Sequence, residues 1–178
     1  MRILKRILLG LLALIVLLVA VAFVLPRTVH VERSVTIAAP PEAVFPLVNS
    51  LRRFNEWSPW AGLDPNTRYT FEGPDQGVNA KMSWSGNSDV GTGVQTILES
   101  VPSSHVKTSL DFGDQGVAIA SFTLTPDGAG TKLTWSFDTD LGMNPVARWF
   151  GLFFEGMIGK DYESGLSRLK ALAERPSA

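Results

Sequence analysis

The chain has 178 residues, with 16 basic side chains, 17 acidic side chains and no cysteine. This length fits one domain of ordinary size with an appendage. The absence of cysteine excludes disulfides, thiolate metal sites and a cysteine nucleophile. Because Arg2, Lys5 and Arg6 precede Leu25, the chain beyond Leu25 carries 13 basic and 17 acidic side chains, a net charge of −4. A mildly acidic domain without a basic run is not expected to bind nucleic acid.

An apolar run near the N-terminus predicts a membrane anchor. Residues 7–25 contain no charged or strongly polar side chain. As a helix, this run is about 28 Å long, which is close to the hydrocarbon thickness of a bilayer. The cations in residues 1–6 favour a cytoplasmic location for that short segment. We therefore predict a single-pass membrane protein whose remaining domain is extracytoplasmic, and periplasmic if the source is bacterial.

A cleaved signal peptide is the alternative interpretation of the same run. Ala20-Val21-Ala22 has the small-x-small form of a cleavage site. However, the apolar run is longer than the usual signal-peptide core, and Phe23 to Leu25 continue it beyond that site. We favour the anchor. Both interpretations place the rest of the chain outside the cytoplasm.

The segment after the apolar run predicts a strand followed by short helices. Residues 27–38, RTVHVERSVTIA, alternate between apolar and polar side chains, as expected of a strand. Ala39-Pro40-Pro41 ends this strand, and an amphipathic helix is predicted over residues 42–49. A second short helix or turn covers residues 51–57. It leads into the aromatic turn Trp57-Ser58-Pro59-Trp60.

Further strands follow, separated by turn signals at a spacing of about ten residues. We place them at Arg68–Glu72, Val78–Trp84, Gly93–Ser100, His105–Phe112, Val117–Thr125 and Lys132–Asp138. Their alternation gives one apolar face, which includes Leu110 and Trp135, and one polar face. A sheet with one dry face and one wet face is typically antiparallel, and its dry face must be covered.

One long helix is predicted at the end of the chain, over residues 144–174. Asn144 and Pro145 are the expected N-cap and first helical residue. The second half is amphipathic, whereas the first half is apolar nearly all round and should be covered on every side. This helix is the only segment long enough to cover the dry sheet face. We predict an α+β fold in which an antiparallel sheet of about seven strands wraps the C-terminal helix.

This order of elements, and three local segments, resemble a known group of proteins. The segments are residues 31–45, VERSVTIAAPPEAVF, the turn at residues 57–60 and residues 161–166, DYESGL. They resemble the helix-grip fold of the START and Bet v 1-like superfamily, also called SRPBCC or polyketide cyclase/dehydrase-like. We assign residues 28–174 to such a domain. The resemblance implies that an apolar small molecule or lipid binds between the sheet and the long helix.

Bulky side chains at both sides of that interface are the predicted cavity lining. The candidates are Trp57, Trp60, Trp84, Leu110, Trp135, Trp149, Phe150, Phe153 and Glu155. Aromatic rings suit this role because they stack on flat or aliphatic ligands. Plain core packing is the alternative for each of the aromatic residues. The turn at residues 57–60 has three possible roles, namely a cavity lip, a surface staple or a contact with the bilayer interface.

Glu155 is the one candidate with acid–base chemistry. It lies between Phe153-Phe154 and Met157-Ile158, where a desolvated carboxyl would have a raised pKa and could donate a proton or bind a ligand. The alternatives are a wet position on the helix or a pair with Arg148. The two histidines, His30 and His105, lack neighbours that suggest a dyad or a metal site. No catalytic residue, metal or cofactor is therefore predicted.

Three functions remain open from the sequence. The first is a membrane-tethered domain that binds a hydrophobic small molecule or lipid. The second is a cyclase/dehydratase-like or hydrolase-like enzyme with Glu155 as the acid, which is disfavoured because no acid–base pair is visible. The third is a protein-interaction module with a filled core. A closed interior without cavity volume favours the third function, and an open cavity with Glu155 facing in, near a second polar group, favours the second.

Overall fold

The computed structural model describes residues 2–175. Its elements in chain order are α1 (Arg2–Ala22), β1 (Thr28–Ile37), α2 (Pro41–Val48), α3 (Leu51–Phe54), β2 (Arg68–Glu72), β3 (Lys81–Ser85), β4 (Thr92–Val101), β5 (His105–Asp111), a 3-10 turn (Gly113–Gln115), β6 (Val117–Asp127), β7 (Gly130–Asp140) and α4 (Pro145–Ala173).

The strands form one seven-stranded antiparallel sheet in the order β1-β7-β6-β5-β4-β3-β2. The helix α4 packs on β1, at one edge of this sheet. The predicted architecture, an antiparallel sheet with a long C-terminal helix, is therefore confirmed. The predicted start of that helix is also confirmed, because Asn144 Oδ1 accepts hydrogen bonds from the backbone N–H groups of Val146 (3.0 Å) and Ala147 (3.1 Å).

The register places the apolar side chains of successive strands on one inner face. Trp135 of β7 lies opposite Phe122 of β6, and Leu110 of β5 lies opposite Ala118 of β6. These residues alternate with polar side chains that face solvent, as expected where only one face of a sheet is covered.

The predicted strand boundaries lie within two residues of those in the structure, except at the start of β3. The strand β3 begins at Lys81 rather than at Val78. Asn79 has a φ of 69°, and Val78 is exposed. A left-handed residue interrupts the extended backbone, so the regular ladder starts only after it.

The two halves of α4 are covered very differently. Tyr162, Leu166 and Leu169 in the second half are buried against the sheet. In the first half, Phe150 and Phe153 are each 62% exposed. The expectation that the apolar first half is covered on every side is therefore wrong for the domain by itself.

The N-terminal helix α1 extends away from the domain with apolar side chains exposed along its length. It is long and apolar enough to cross a membrane, a criterion that a signal sequence near the N-terminus also meets. The helix ends at Ala22, and its C-terminal end contacts α4. Residues 23–27 then join it to β1.

Candidate apolar ligand site

The space between the sheet and the second half of α4 is filled by aromatic rings. Trp135 stacks on Tyr162 with 3.6 Å between ring centroids and 9° between ring planes. The ring of Phe122 also stacks against Trp135, with 5.2 Å between ring centroids, and Trp57 meets Trp135 edge-on at 5.3 Å. Trp60 lies edge-on to the same indole at 5.9 Å. We call Trp57, Trp60, Phe122, Trp135 and Tyr162 the central cluster.

Three predicted lining residues, Trp57, Trp60 and Trp135, thus lie in a packed core and not around an open cavity. Trp57 donates its indole N–H to the Leu47 carbonyl at 3.0 Å. Trp60 donates to Asp161 of α4 at 3.3 Å, and Arg168 donates to the carbonyl of Ser58 at 3.1 Å. The turn at residues 57–60 is therefore a staple that joins α2 to α4.

Trp135 carries an unusual polar atom at the centre of this cluster. Among residues 2–175, its buried indole N–H has no hydrogen-bond acceptor. Leaving such a donor unpaired costs about 1–3 kcal/mol. The burial of Tyr162 raises the pKa of its phenol well above the usual range, so this ring is a neutral stacking partner at ordinary pH.

The other end of the inner sheet face is only partly covered. Trp84, Leu110 and Phe112 are half-buried there. Trp84 lies across Gly93 of the neighbouring strand, where a Cβ atom would collide with the indole, and it meets Phe112 edge-on at 5.9 Å. The indole N–H of Trp84 donates to the Val90 carbonyl at 3.3 Å, which fixes the ring.

This end of the sheet is the one nearest α1. Leu110 lies opposite Ala118, Ala118 lies opposite Thr139, and Thr139 lies opposite Val29 at the start of β1. On the far side of the interface, Phe154 of α4 contacts Phe137 at 6.3 Å. We name the surface formed by Trp84, Leu110, Phe112, Phe137 and Phe154 the anchor-proximal surface, after the anchor that the sequence predicts for α1.

Three of these residues, Phe112, Phe137 and Phe154, were not among the predicted lining residues. Phe112 follows Leu110 by two residues and Phe137 follows Trp135 by two residues, so the alternation of the strands predicts both on the apolar face. Phe154 could not be separated from its neighbours, because the first half of α4 is apolar nearly all round.

The predicted lining residues of α4 lie elsewhere. Trp149 donates its indole N–H to the carbonyl of Leu18 in α1, at 3.1 Å. Phe153 lies about 200° around the helix from Glu155, whose carboxylate faces β1, so Phe153 points away from that strand. Phe150 shares the side of Phe153. Neither phenylalanine faces the inner surface of the sheet.

Glu155 is exposed and ion-paired, which agrees with the alternative of a wet position on the helix and contradicts the interpretation of a desolvated carboxyl. Arg33 of β1 donates from Nη1 to Glu155 at 2.9 Å and from Nε to Glu163 at 2.7 Å. The carboxylates of Glu163 and Glu155 hold the pKa of Arg33 above its ordinary value. Gly159 lets the guanidinium pass beneath α4, because a Cβ atom there would collide with it. Glu155 is therefore neither desolvated nor paired with Arg148.

Arg148 instead holds the C-terminal end of α1. Its guanidinium is buried and donates to the carbonyl of Gly142 at 2.8 Å and to those of Phe23 at 3.2 Å and Ala22 at 3.4 Å. Next to it lies an open groove of about 190 Å³. The groove is lined by Pro26, Thr28, Val29, His30, Arg148, Gly151 and Leu152.

The histidines have ordinary surface contacts. His30 Nδ1 lies 2.7 Å from Asp138 Oδ1, and this hydrogen bond raises the pKa of His30. His105 Nδ1 lies 3.4 Å from Thr123 Oγ1. Within residues 2–175, no group of three or more His, Cys, Asp or Glu side chains is placed to hold a metal ion.

A seven-stranded antiparallel sheet with an apolar inner face, closed by a long C-terminal helix, defines a helix-grip protein. The profile of the family described as polyketide cyclase/dehydrase and lipid transport matches residues 28–174, and the chain belongs to this family. Family and fold together suggest a hydrophobic ligand-binding domain. No curated protein matches the chain.

Solved structures with the same fold are only distantly similar in sequence. Protein CV1439 from Chromobacterium violaceum is 21% identical with a TM-score of 0.58, over 85% of this chain and 100% of that chain. Protein SA2116 from Staphylococcus aureus is 12% identical with a TM-score of 0.64, over 83% and 94%. Ara h 8.0201 is 12% identical with a TM-score of 0.58, over 82% and 97%. At these identities the similarity shows the fold alone.

Proposed function

We propose that this protein is a membrane-tethered domain that binds a hydrophobic small molecule or a lipid at the anchor-proximal surface. The observation that carries the proposal is the uneven coverage of the inner sheet face. The central cluster is filled by its own rings, whereas Trp84, Leu110 and Phe112 remain half-buried. Incompletely covered aromatic and aliphatic side chains on the inner face favour an apolar ligand.

The polar groups beside this surface suit a ligand with one polar end. Gln95 lies opposite Leu110 in the sheet, and it is buried. Its amide nitrogen donates to Thr108 Oγ1 at 3.2 Å. No member of the anchor-proximal surface is charged, so a fatty acyl chain or another apolar group is the expected occupant, and a charged metabolite is not.

The tether places this surface next to the bilayer. We propose that α1 is retained as a membrane anchor, with residues 1–6 in the cytoplasm and the domain outside it. Residues 23–27 form the whole connection between α1 and β1, so the anchor-proximal end of the sheet is held close to the membrane. An apolar ligand then has a short path between lipid and protein.

Photocrosslinking of the full-length protein in nanodiscs tests the binding site. A fatty acid that carries a diazirine should crosslink saturably to peptides that contain Trp84 and Leu110. Ala118→Trp places a bulky ring on the inner face between β5 and β7, and it should reduce this crosslinking. Ile119→Trp, at the next position on the outer face, is the matched control. Because overpacking costs about 1–3 kcal/mol, thermal unfolding of both variants must be measured on the same samples.

The filled central cluster favours one alternative, a protein-interaction module without a ligand. The same experiment distinguishes the two functions. Crosslinks confined to α1, or crosslinks that do not saturate, indicate mere partition into the bilayer and would favour the interaction module.

A further inference from the structure

The first half of α4 carries an exposed apolar stripe. Its members lie three or four residues apart, on one side of the helix, and are each 60–68% exposed: Met143, Val146, Phe150, Phe153 and Met157. Single exposed apolar residues are common, but a contiguous row of large ones marks an interaction surface.

The stripe lies on the side of α4 that is turned away from the strand β1. Glu155, on the opposite side of the helix, bonds Arg33 of β1. Phe154 contacts Phe137 of β7. The sheet therefore engages other sides of α4, and the partner of the stripe must come from outside the domain.

The helix α1 fixes where this stripe lies relative to a membrane. Trp149 of α4 donates to the carbonyl of Leu18, which is one helical turn, or about 6 Å, before the end of α1 at Ala22. Arg148 holds the carbonyls of Ala22 and Phe23 just beyond that point. The start of α4 thus contacts α1 within its apolar span. Tryptophan is favoured at that level of a bilayer.

The charges of the segment agree with such a location. The stripe spans residues 143–157, which contain one acidic side chain, Glu155, and one cation, Arg148. Glu155 is paired with Arg33 on the opposite side of the helix, and Arg148 is 6% exposed and bonded to backbone carbonyls. Insertion of the stripe into lipid therefore desolvates no free charge, which is the main cost of placing protein in a bilayer.

From these contacts we propose that the first half of α4 lies in the membrane interface, in the plane of the bilayer, with the apolar stripe among the lipid chains. A helix in this position buries its apolar side about 5–10 Å into the boundary between headgroups and acyl chains. The domain then has two membrane contacts, α1 across the bilayer and α4 along it. This inference rests on the membrane tether of the proposed function.

Depth-dependent quenching tests the inference on the full-length protein. Because the chain has no cysteine, each introduced cysteine is a unique labelling site. Val146→Cys and Phe153→Cys place an environment-sensitive fluorophore on the stripe. Ser164→Cys, on the exposed side of the second half of α4, is the matched control. Leu14→Cys reports on the anchor. The proteins are reconstituted in vesicles with and without brominated acyl chains.

The expected result is blue-shifted emission that bromine quenches at positions 146, 153 and 14, and unquenched emission at position 164. Quenching at 14 without quenching at 146 and 153 leaves the tether intact and overturns the inference. Absence of quenching at 14 overturns the tether, and the inference with it. Blue-shifted but unquenched labels at 146 and 153, with energy transfer between copies, would show that a second copy covers the stripe, which also overturns the inference.

Discussion

Trp135 contacts rings of α4, of β6 and of the turn at residues 57–60, so its side chain links three parts of the domain. Truncation to alanine should cost about 3–5 kcal/mol, as is typical when a large buried aromatic side chain is removed. Trp135→Phe should cost less than about 1.5 kcal/mol, because a smaller ring still stacks on Tyr162 and the unpaired indole N–H is removed. Chemical denaturation of both variants measures this difference. Equal losses would mean that the indole N–H has a partner and that the whole indole is required.

His30 gives the domain a residue-scale pH dependence. The hydrogen bond that His30 donates to the carboxylate of Asp138 raises the pKa of His30 above its ordinary value of 6.5. A group whose pKa is raised by folding stabilises the fold fully below its unfolded pKa and loses that contribution as the pH rises through its folded pKa. The free energy of unfolding of the wild type should therefore exceed that of Asp138→Asn by the largest amount below pH 6.5. This difference in the free energy of unfolding should decrease at higher pH.

The measurement is NMR titration of the His30 ring, together with unfolding curves across the same pH range. Asp138→Asn should lower the pKa of His30. A His30 pKa that is the same in both proteins would show that the cross-strand hydrogen bond does not form in solution.

At the scale of elements, α4 works as two segments with different partners. Its second half is buried by the inner sheet face, and Leu166 is 2% exposed there. Leu166→Ala should cost about 2–5 kcal/mol, because transfer energy is lost and a cavity remains. Ser167→Ala, at the next and exposed position, should change the stability by no more than about 0.5 kcal/mol. Denaturant unfolding measures both changes, and similar small effects would contradict the packing of α4 on the sheet.

Lys170→Ala would be a poor surface control for Leu166→Ala. The position of Lys170 on α4 predicts an exposed side chain, but the side chain has partners. Its Nζ donates to the carbonyl of Thr36 at 2.7 Å and lies 3.7 Å from Glu174. Such a bond joins residues that are far apart in the chain, and no local pattern of the sequence indicates it.

The elements themselves were largely predictable because their signals are local. Alternation identified the strands, and Asn144 with Pro145 identified the start of α4. The left-handed Asn79 and the β-bulge between Ile97 and Glu99 were not predicted. The first depends on how the chain enters β3, and the second depends on how β4 and β5 pair. The site was less predictable. Aromatic residues were identified correctly as inward-facing on the sheet, but which of them fill the core and which stay partly open depends on where α4 crosses the sheet.

The same limit applies to charged side chains on α4. From the sequence, an ion pair between Arg148 and Glu155 was one alternative, because the two residues lie on the same side of one helix. In the structure Glu155 pairs with Arg33 of β1, and Arg148 bonds backbone carbonyls at the end of α1. A backbone carbonyl leaves no signature in a side-chain pattern, so this second partner could not be inferred from residue types.

At the scale of the whole molecule, Arg148 joins the domain to the C-terminal end of α1. Without it, α1 and the domain would be joined mainly by residues 23–27 and the bond from Trp149 to Leu18. A buried carbonyl that loses its donor costs about 1–3 kcal/mol, which favours separation of α1 from α4. We therefore expect Arg148→Gln to loosen the junction. Arg148→Lys should restore it only in part, because an ammonium group lacks the fork that spans several carbonyls.

Double electron–electron resonance tests this expectation in nanodiscs. It measures the distance between spin labels at Leu14→Cys in α1 and Ser164→Cys in α4. Wild type should give a narrow distance distribution, and Arg148→Gln should broaden it. Arg53→Gln is the control, because Arg53 bonds Glu56 in its own short segment, far from α1 in the chain. An equally narrow distribution for Arg148→Gln would mean that Trp149 and lipid suffice to orient the domain. A broad one would mean that a single buried guanidinium holds the domain in one orientation relative to α1.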